Sequence, residues 1–125
     1  MDGDYLAKGL EQRKATLGAE YVDNVFENAD DFSRPFQEAM TGWCWGFGWG
    51  DDTLPPKTRS LMNLTMIAAL NRMEEFELHF RGAIKNGCTK EELRAALHVI
   101  AIYCGVPAGV STFRIAKKVF AEEGI

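Results

Sequence analysis

Glu75 and His79 stand four residues apart in the stretch Glu75-Phe76-Glu77-Leu78-His79, whose pattern is helical. They therefore share a face. A carboxylate beside an imidazole can hold one ring nitrogen and leave the other for proton transfer. Arg72 and Asn86 fall near the same stripe. Phe76, Phe80 and Ile84 form a second, apolar face, and Glu74, Glu77, Arg81 and Lys85 a third, expected to be solvated. A polar stripe separate from both core and water calls for a cleft, a partner subunit or a ligand. The same spacing also suits a plain boundary pair on a helix surface, worth about 0.2–0.5 kcal/mol.

Other residues could join this chemistry. Arg59 and Asn63 draw a polar line along an otherwise apolar helix. A buried Arg needs an anion, because an unpaired buried charge is costly. That anion is either Glu75 or the carboxylate of a ligand. His98, near Arg94, and Tyr103, at a helix end, are candidate substrate contacts or ordinary packing residues. Trp43, Trp45 and Trp49 suit a pocket wall or an interface. One Glu–His pair and a distant His are too few ligands for a metal site. No phosphate loop or dinucleotide fingerprint is present. Cys44, Cys88 and Cys104 have no adjacent His or resolving Cys. The expectation is an enzyme with no metal and no organic cofactor.

The elements that must position these residues are helical almost throughout. Leu6, Leu10 and Leu17 share one face of a first helix, closed by Gly18. Val22, Val25 and Phe26 mark a second. Ser33 can cap a third, with Pro35 in its first turn and Phe36 and Met40 inward. An aromatic, glycine-rich stretch follows, Trp43-Cys44-Trp45-Gly46-Phe47-Gly48-Trp49-Gly50, and then a loop. A fourth helix is predicted from near Pro56 to about Asn71, and a fifth from about Met73 to Asn86, stopped by Gly87. Thr89-Lys90-Glu91-Glu92 is a capping box for the sixth, and Pro107 starts the seventh. No strand pattern competes, so the fold class is all-α, with about seven helices in one domain over residues 1–125.

The fourth helix carries Leu61, Met62, Leu64, Met66, Ile67 and Leu70 around most of its circumference. The sixth adds Val99 and Ile102 to the stripe Leu93, Leu97, Ile100 and Cys104. A chain of 125 residues cannot bury two such helices alone, so a homo-oligomer is expected. Net charge is −4 with no basic cluster, which speaks against nucleic acid and anionic membrane as partners. No apolar run is long enough to span a bilayer. The acidic start Met1-Asp2-Gly3-Asp4 lacks the layout of a signal peptide. Three well-separated cysteines suit a reduced, cytoplasmic setting.

Together these residues resemble the carboxymuconolactone decarboxylase family from about Gly9 to Phe120. The markers are Trp45-Gly46 and Trp49, Leu54, Thr58-Arg59-Ser60-Leu61, Glu75 and His79. After these come Asn86-Gly87 with Thr89-Lys90-Glu91-Glu92, and finally Tyr103-Cys104-Gly105-Val106-Pro107-Ala108. The resemblance implies an AhpD-like helical fold assembling into a ring, commonly a hexamer, with a trimer as the smaller alternative. It implies a cofactor-free carboxy-lyase of aromatic (protocatechuate) breakdown, converting 4-carboxymuconolactone to the enol-lactone of 3-oxoadipate. His79 would then be the proton donor or oxyanion partner, oriented by Glu75, and Arg59 would hold a carboxylate or tune Glu75. A related branch holds thiol peroxidases with a Cys-x-x-Cys before this His. Those positions are Arg72 and Glu75 here. The chain departs from the decarboxylase pattern at Asp51-Asp52-Thr53-Leu54, where Arg-Pro-Gly-Leu is usual, and at Ala95, where an acid is usual. Two acids in place of a cation bear directly on any polyanionic substrate.

Overall fold

The computed structural model describes residues 3–125; the first two residues of the acidic start lie outside it. The chain forms two compact units, Met1–Pro56 and Lys57–Ile125. Seven α-helices and one π-helical segment make up the regular structure, and no strand occurs among the described residues.

In the first unit, α1 (Gly3–Leu17) ends at Gly18, whose φ of 95° is the left-handed conformation that glycine adopts without strain. After α2 (Ala19–Glu27) and α3 (Arg34–Met40), the chain continues directly into a π-helix, Thr41–Gly48. The wider winding shows in the bond from Trp49 N–H to the Cys44 carbonyl, 3.0 Å. Gly46 within it and Gly9 of α1 have a packing reason. A Cβ at Gly46 would sit 2.1 Å from the Tyr5 carbonyl oxygen, and one at Gly9 2.1 Å from that of Thr41. Backbone therefore meets backbone between α1 and the π-helix. The aromatic residues stack four apart, Trp43 on Phe47 and Trp45 on Trp49, each pair with ring centroids 4.8 Å apart.

At the centre of this unit Arg13 is only 4% exposed. It donates to Gln37 Oε1 at 3.1 Å and Thr41 Oγ1 at 3.0 Å. Burial lowers its pKa, partly offset by Tyr21 and Cys44. Two expectations for α3 need correction. Phe36 is 65% exposed rather than inward. Ser33 makes no capping bond; its hydroxyl joins Asp30 in a local turn that also takes the Phe32 and Ser33 N–H groups on Asp30 Oδ1.

In the second unit, α4 (Pro56–Ala69) turns into α5 (Met73–Lys85) through Asn71, which takes the left-handed conformation at φ 57°. The capping box opens α6 (Lys90–Tyr103). Thr89 N–H donates to Glu92 Oε1 at 2.9 Å, and Glu92 N–H to Thr89 Oγ1 at 3.1 Å. Gly105 precedes α7 (Val106–Glu123). Leu64, Phe76, Phe80, Leu93, Leu97, Ile100 and Val119 form one buried cluster. Gly109 lets α7 cross α6 closely, since a Cβ there would fall 2.6 Å from that of Ala101. Met62 and Met66 of α4, Leu70 just after it, and Val99 and Ile102 of α6 are exposed. No helix of the described residues is long and apolar enough to cross a membrane.

Candidate functional site

α4 and α5 carry the polar seam of the second unit. α4 buries Ser60, Leu64 and Ala68 on its core side, one turn apart. α5 buries Phe76, Phe80 and Ala83. Setting Leu64 in one cluster with Phe76 and Phe80 fixes the rotation of both helices. The residues flanking those stripes, Asn63 and His79, then meet. Asn63 Nδ2 lies 2.8 Å from His79 Nδ1, and both side chains are half-buried. A second tie, from Asn86 Nδ2 to Ser60 Oγ at 3.0 Å, closes the other end of the seam.

This geometry sets the ring's tautomer. An amide NH₂ donates, so Nδ1 of the neutral imidazole accepts and Nε2 carries the proton. The ring is thereby a hydrogen-bond donor of fixed direction. A neutral ring that surrendered Nε2–H would become an imidazolate, so donation to a developing oxyanion suits it better than proton delivery to carbon.

Glu75 shares the helix face with His79, but it is exposed, and the Nδ1 partner is Asn63 rather than Glu75. The expected orienting carboxylate is thus replaced by an amide from the neighbouring helix. Only the combined rotation of two helices brings that about. The signal was present, since Asn63 lies on the polar line of α4 four residues after Arg59. Arg59 is half-buried on the same side of α4. His98 is exposed on α6, its ring 5.7 Å from that of Phe113, and Tyr103 is 85% exposed at the helix end. Trp45, 3% exposed, and Trp49, half-buried, form their stack within the first unit.

The third face of α5 is not simply solvated. Glu77 takes Lys118 at 3.0 Å and Arg81 at 3.1 Å, and Arg81 also bonds Glu122 of α7. Those cations hold the Glu77 carboxyl below its usual range, through the Lys118 bond first and then Arg81.

The three cysteines are free. Burial pushes the Cys44 thiol up, opposed by Arg13, and burial also pushes up Cys88, whose Sγ points at the Lys57 carbonyl at 3.7 Å. Less thiolate at neutral pH means a weaker nucleophile. Among the described residues no three of His, Cys, Asp and Glu gather into a metal-ligand group.

The profile of the carboxymuconolactone decarboxylase family matches residues 34–118. The span holds the π-helix, the α4–α5 seam and most of α7. The chain is similar to a nitrosuccinic acid decarboxylase of Metarhizium robertsii, 42% identical over 111 residues, which is 89% of this chain and 78% of that protein. It is also similar to a 4-carboxymuconolactone decarboxylase of Acinetobacter baylyi, 36% identical over 118 residues, 94% of this chain and 88% of that protein.

Proposed function

Since the chain belongs to the carboxymuconolactone decarboxylase family, we propose that it removes carbon dioxide from a small carboxylated lactone or similar acid, with the Asn63–His79 pair at the reacting end. The observation that carries this reading is the 2.8 Å contact that fixes the imidazole tautomer. When carbon dioxide leaves, its bonding electrons stay on carbon. They need an adjoining sink, and in 4-carboxymuconolactone the conjugated lactone carbonyl takes them as a dienolate. His79 Nε2–H stabilises that oxygen, and water protonates carbon. Arg59 holds the remaining carboxylate. Glu75 tunes the charge around His79, and Trp45, Trp49, His98 and Tyr103 are assigned to the substrate's surroundings. The mechanism calls on no metal or cofactor.

Two observations favour a second substrate. The relative of higher identity is named for nitrosuccinic acid. Asp51-Asp52 also stand where the lactone decarboxylases usually carry Arg-Pro. A nitro group beside the departing carboxylate is an equivalent sink, its electrons becoming a nitronate. Both substrates pair a carboxylate next to an oxygen sink with a second carboxylate. The test is turnover of each compound by purified protein, followed by released carbon dioxide. Turnover of either one supports decarboxylation and decides between them. Turnover of neither, with thiol-dependent peroxide reduction instead, would replace the reading by the thiol peroxidase alternative.

Assembly belongs to the same proposal. The exposed Met62, Met66, Leu70, Val99 and Ile102 suit burial against further copies of the chain. A ring of six, or failing that three, is the expected result of light scattering at micromolar concentration. A monomer there would remove this part of the reading.

A further inference from the structure

A cavity of about 150 Å³ lies within the second unit, between α5, α6 and α7. Its walls are apolar and largely aromatic, with Phe80, Leu97, Phe113 and Phe120 facing inward. Three cations also line it: Lys90 and Arg94 from α6 and Lys117 from α7. The Lys90 ammonium is 5.0 Å from the centre of the Phe120 ring, which places its charge over the cavity wall.

What marks this cavity is an apolar lining joined to three cations. The chain carries a net charge of −4, so acids are in excess. Three other cations of this unit are ion-paired: Lys57 with Glu92, Lys118 with Glu77, and Arg81 with Glu77, Glu122 and Glu123. Among the described residues, Lys90, Arg94 and Lys117 make no ion pair. Lys90 and Arg94 sit at i and i+4, where like charges are mutually destabilising. Both line a cavity whose walls include three phenylalanine rings.

We propose that this cavity binds a small aromatic carboxylate, its ring among the phenylalanines and its carboxylate at the Lys90–Arg94–Lys117 mouth. A cavity near 150 Å³ lined by apolar side chains holds about one benzene-sized ring. Three phenylalanines offer edge-to-face packing to such a ring. The carboxylate relieves the repulsion between the cations and gains charge-assisted hydrogen bonds. This site is separate from the Asn63–His79 seam and does not depend on what that seam does.

Benzoate is the probe, titrated into the whole chain while methyl NMR signals of Leu93, Leu97 and Ala116 are followed. Saturable shifts at those methyls, with a Kd on the order of 1 mM or tighter, are expected for a ligand of this size. Benzamide should bind at least about tenfold more weakly, because it lacks the charge. Replacing two of the three cations, Arg94→Gln with Lys117→Gln, should weaken benzoate by about tenfold or more and leave the melting temperature nearly unchanged. Ala116→Leu, which fills the cavity, should abolish the shifts, and His79→Ala should leave them in place. Equal binding of benzamide and benzoate, or shifts that vanish with His79→Ala but survive Arg94→Gln with Lys117→Gln, would overturn the proposal. So would the absence of saturable shifts in a folded wild-type chain.

Discussion

The two polar faces of α5 are built in opposite ways. On one, Glu77 and Arg81 join Lys118, Glu122 and Glu123 in a network with charge on every member. On the other, His79 meets the neutral amide of Asn63. The first face satisfies its charges within the protein and lies near water, where each such pair contributes about 0–1 kcal/mol. The second sits half-buried and sets a titratable ring against a neutral amide on Nδ1. Charge-rich and self-paired describes a fastening between helices. An amide on one ring nitrogen instead gives the imidazole a fixed direction.

The largest effect should come from the seam. His79→Ala should lower kcat by about 10²–10⁴-fold while shifting the melting temperature little, as the loss of a catalytic donor does. Glu75→Gln should cost far less, because its carboxylate is exposed and does not hold the ring. If the two substitutions cost the same, Glu75 rather than Asn63 governs the imidazole.

Asn63 comes next. Asn63→Asp replaces a donor by an acceptor, so the ring should switch to carrying its proton on Nδ1, visible in ¹⁵N chemical shifts. A fall in kcat of about tenfold or more should accompany that switch, since Nε2 no longer donates to the oxyanion. Asn63→Asp with full activity would show that Nε2–H donation is not what the seam provides.

The smallest effect belongs to the ion network. Glu77→Gln should cost about 0.2–1 kcal/mol of stability, decreasing with added salt, and leave kcat unchanged. Its pH dependence has a definite sign. The folded carboxyl titrates below its ordinary value of 4.5. Its contribution is therefore complete above that value and is lost as pH falls through the lower folded value. Parallel acid denaturation of wild type and Glu77→Gln should show the two converging only at the acid end. A kcat loss in Glu77→Gln would erase the distinction between the faces.

Much of this was legible in the chain itself. Helix boundaries follow from local chemistry: Gly18, Gly87 and Gly105 stop or precede helices because they adopt positive φ. The Thr89–Glu92 box closes on itself within four residues. The polar stripe of α5 and the polar line of α4 follow from the helical period alone. The marker residues were legible too, in an order that resembles the family to which the chain belongs. What the period cannot supply is how two helices are rotated against each other. That depends on which apolar residues win the core, and Leu64, Phe76 and Phe80 won it. Their burial turned His79 toward Asn63, left Glu75 in water and sent Glu77 and Arg81 to α7. The π-helix was likewise beyond local reading. Its Gly46 answers to the backbone of α1, and Gly9 of α1 to that of Thr41, each a close approach that a Cβ would block. Sequence determined the faces; packing between distant segments decided which face met which, because that choice minimises exposed apolar area over the whole unit rather than over any one helix.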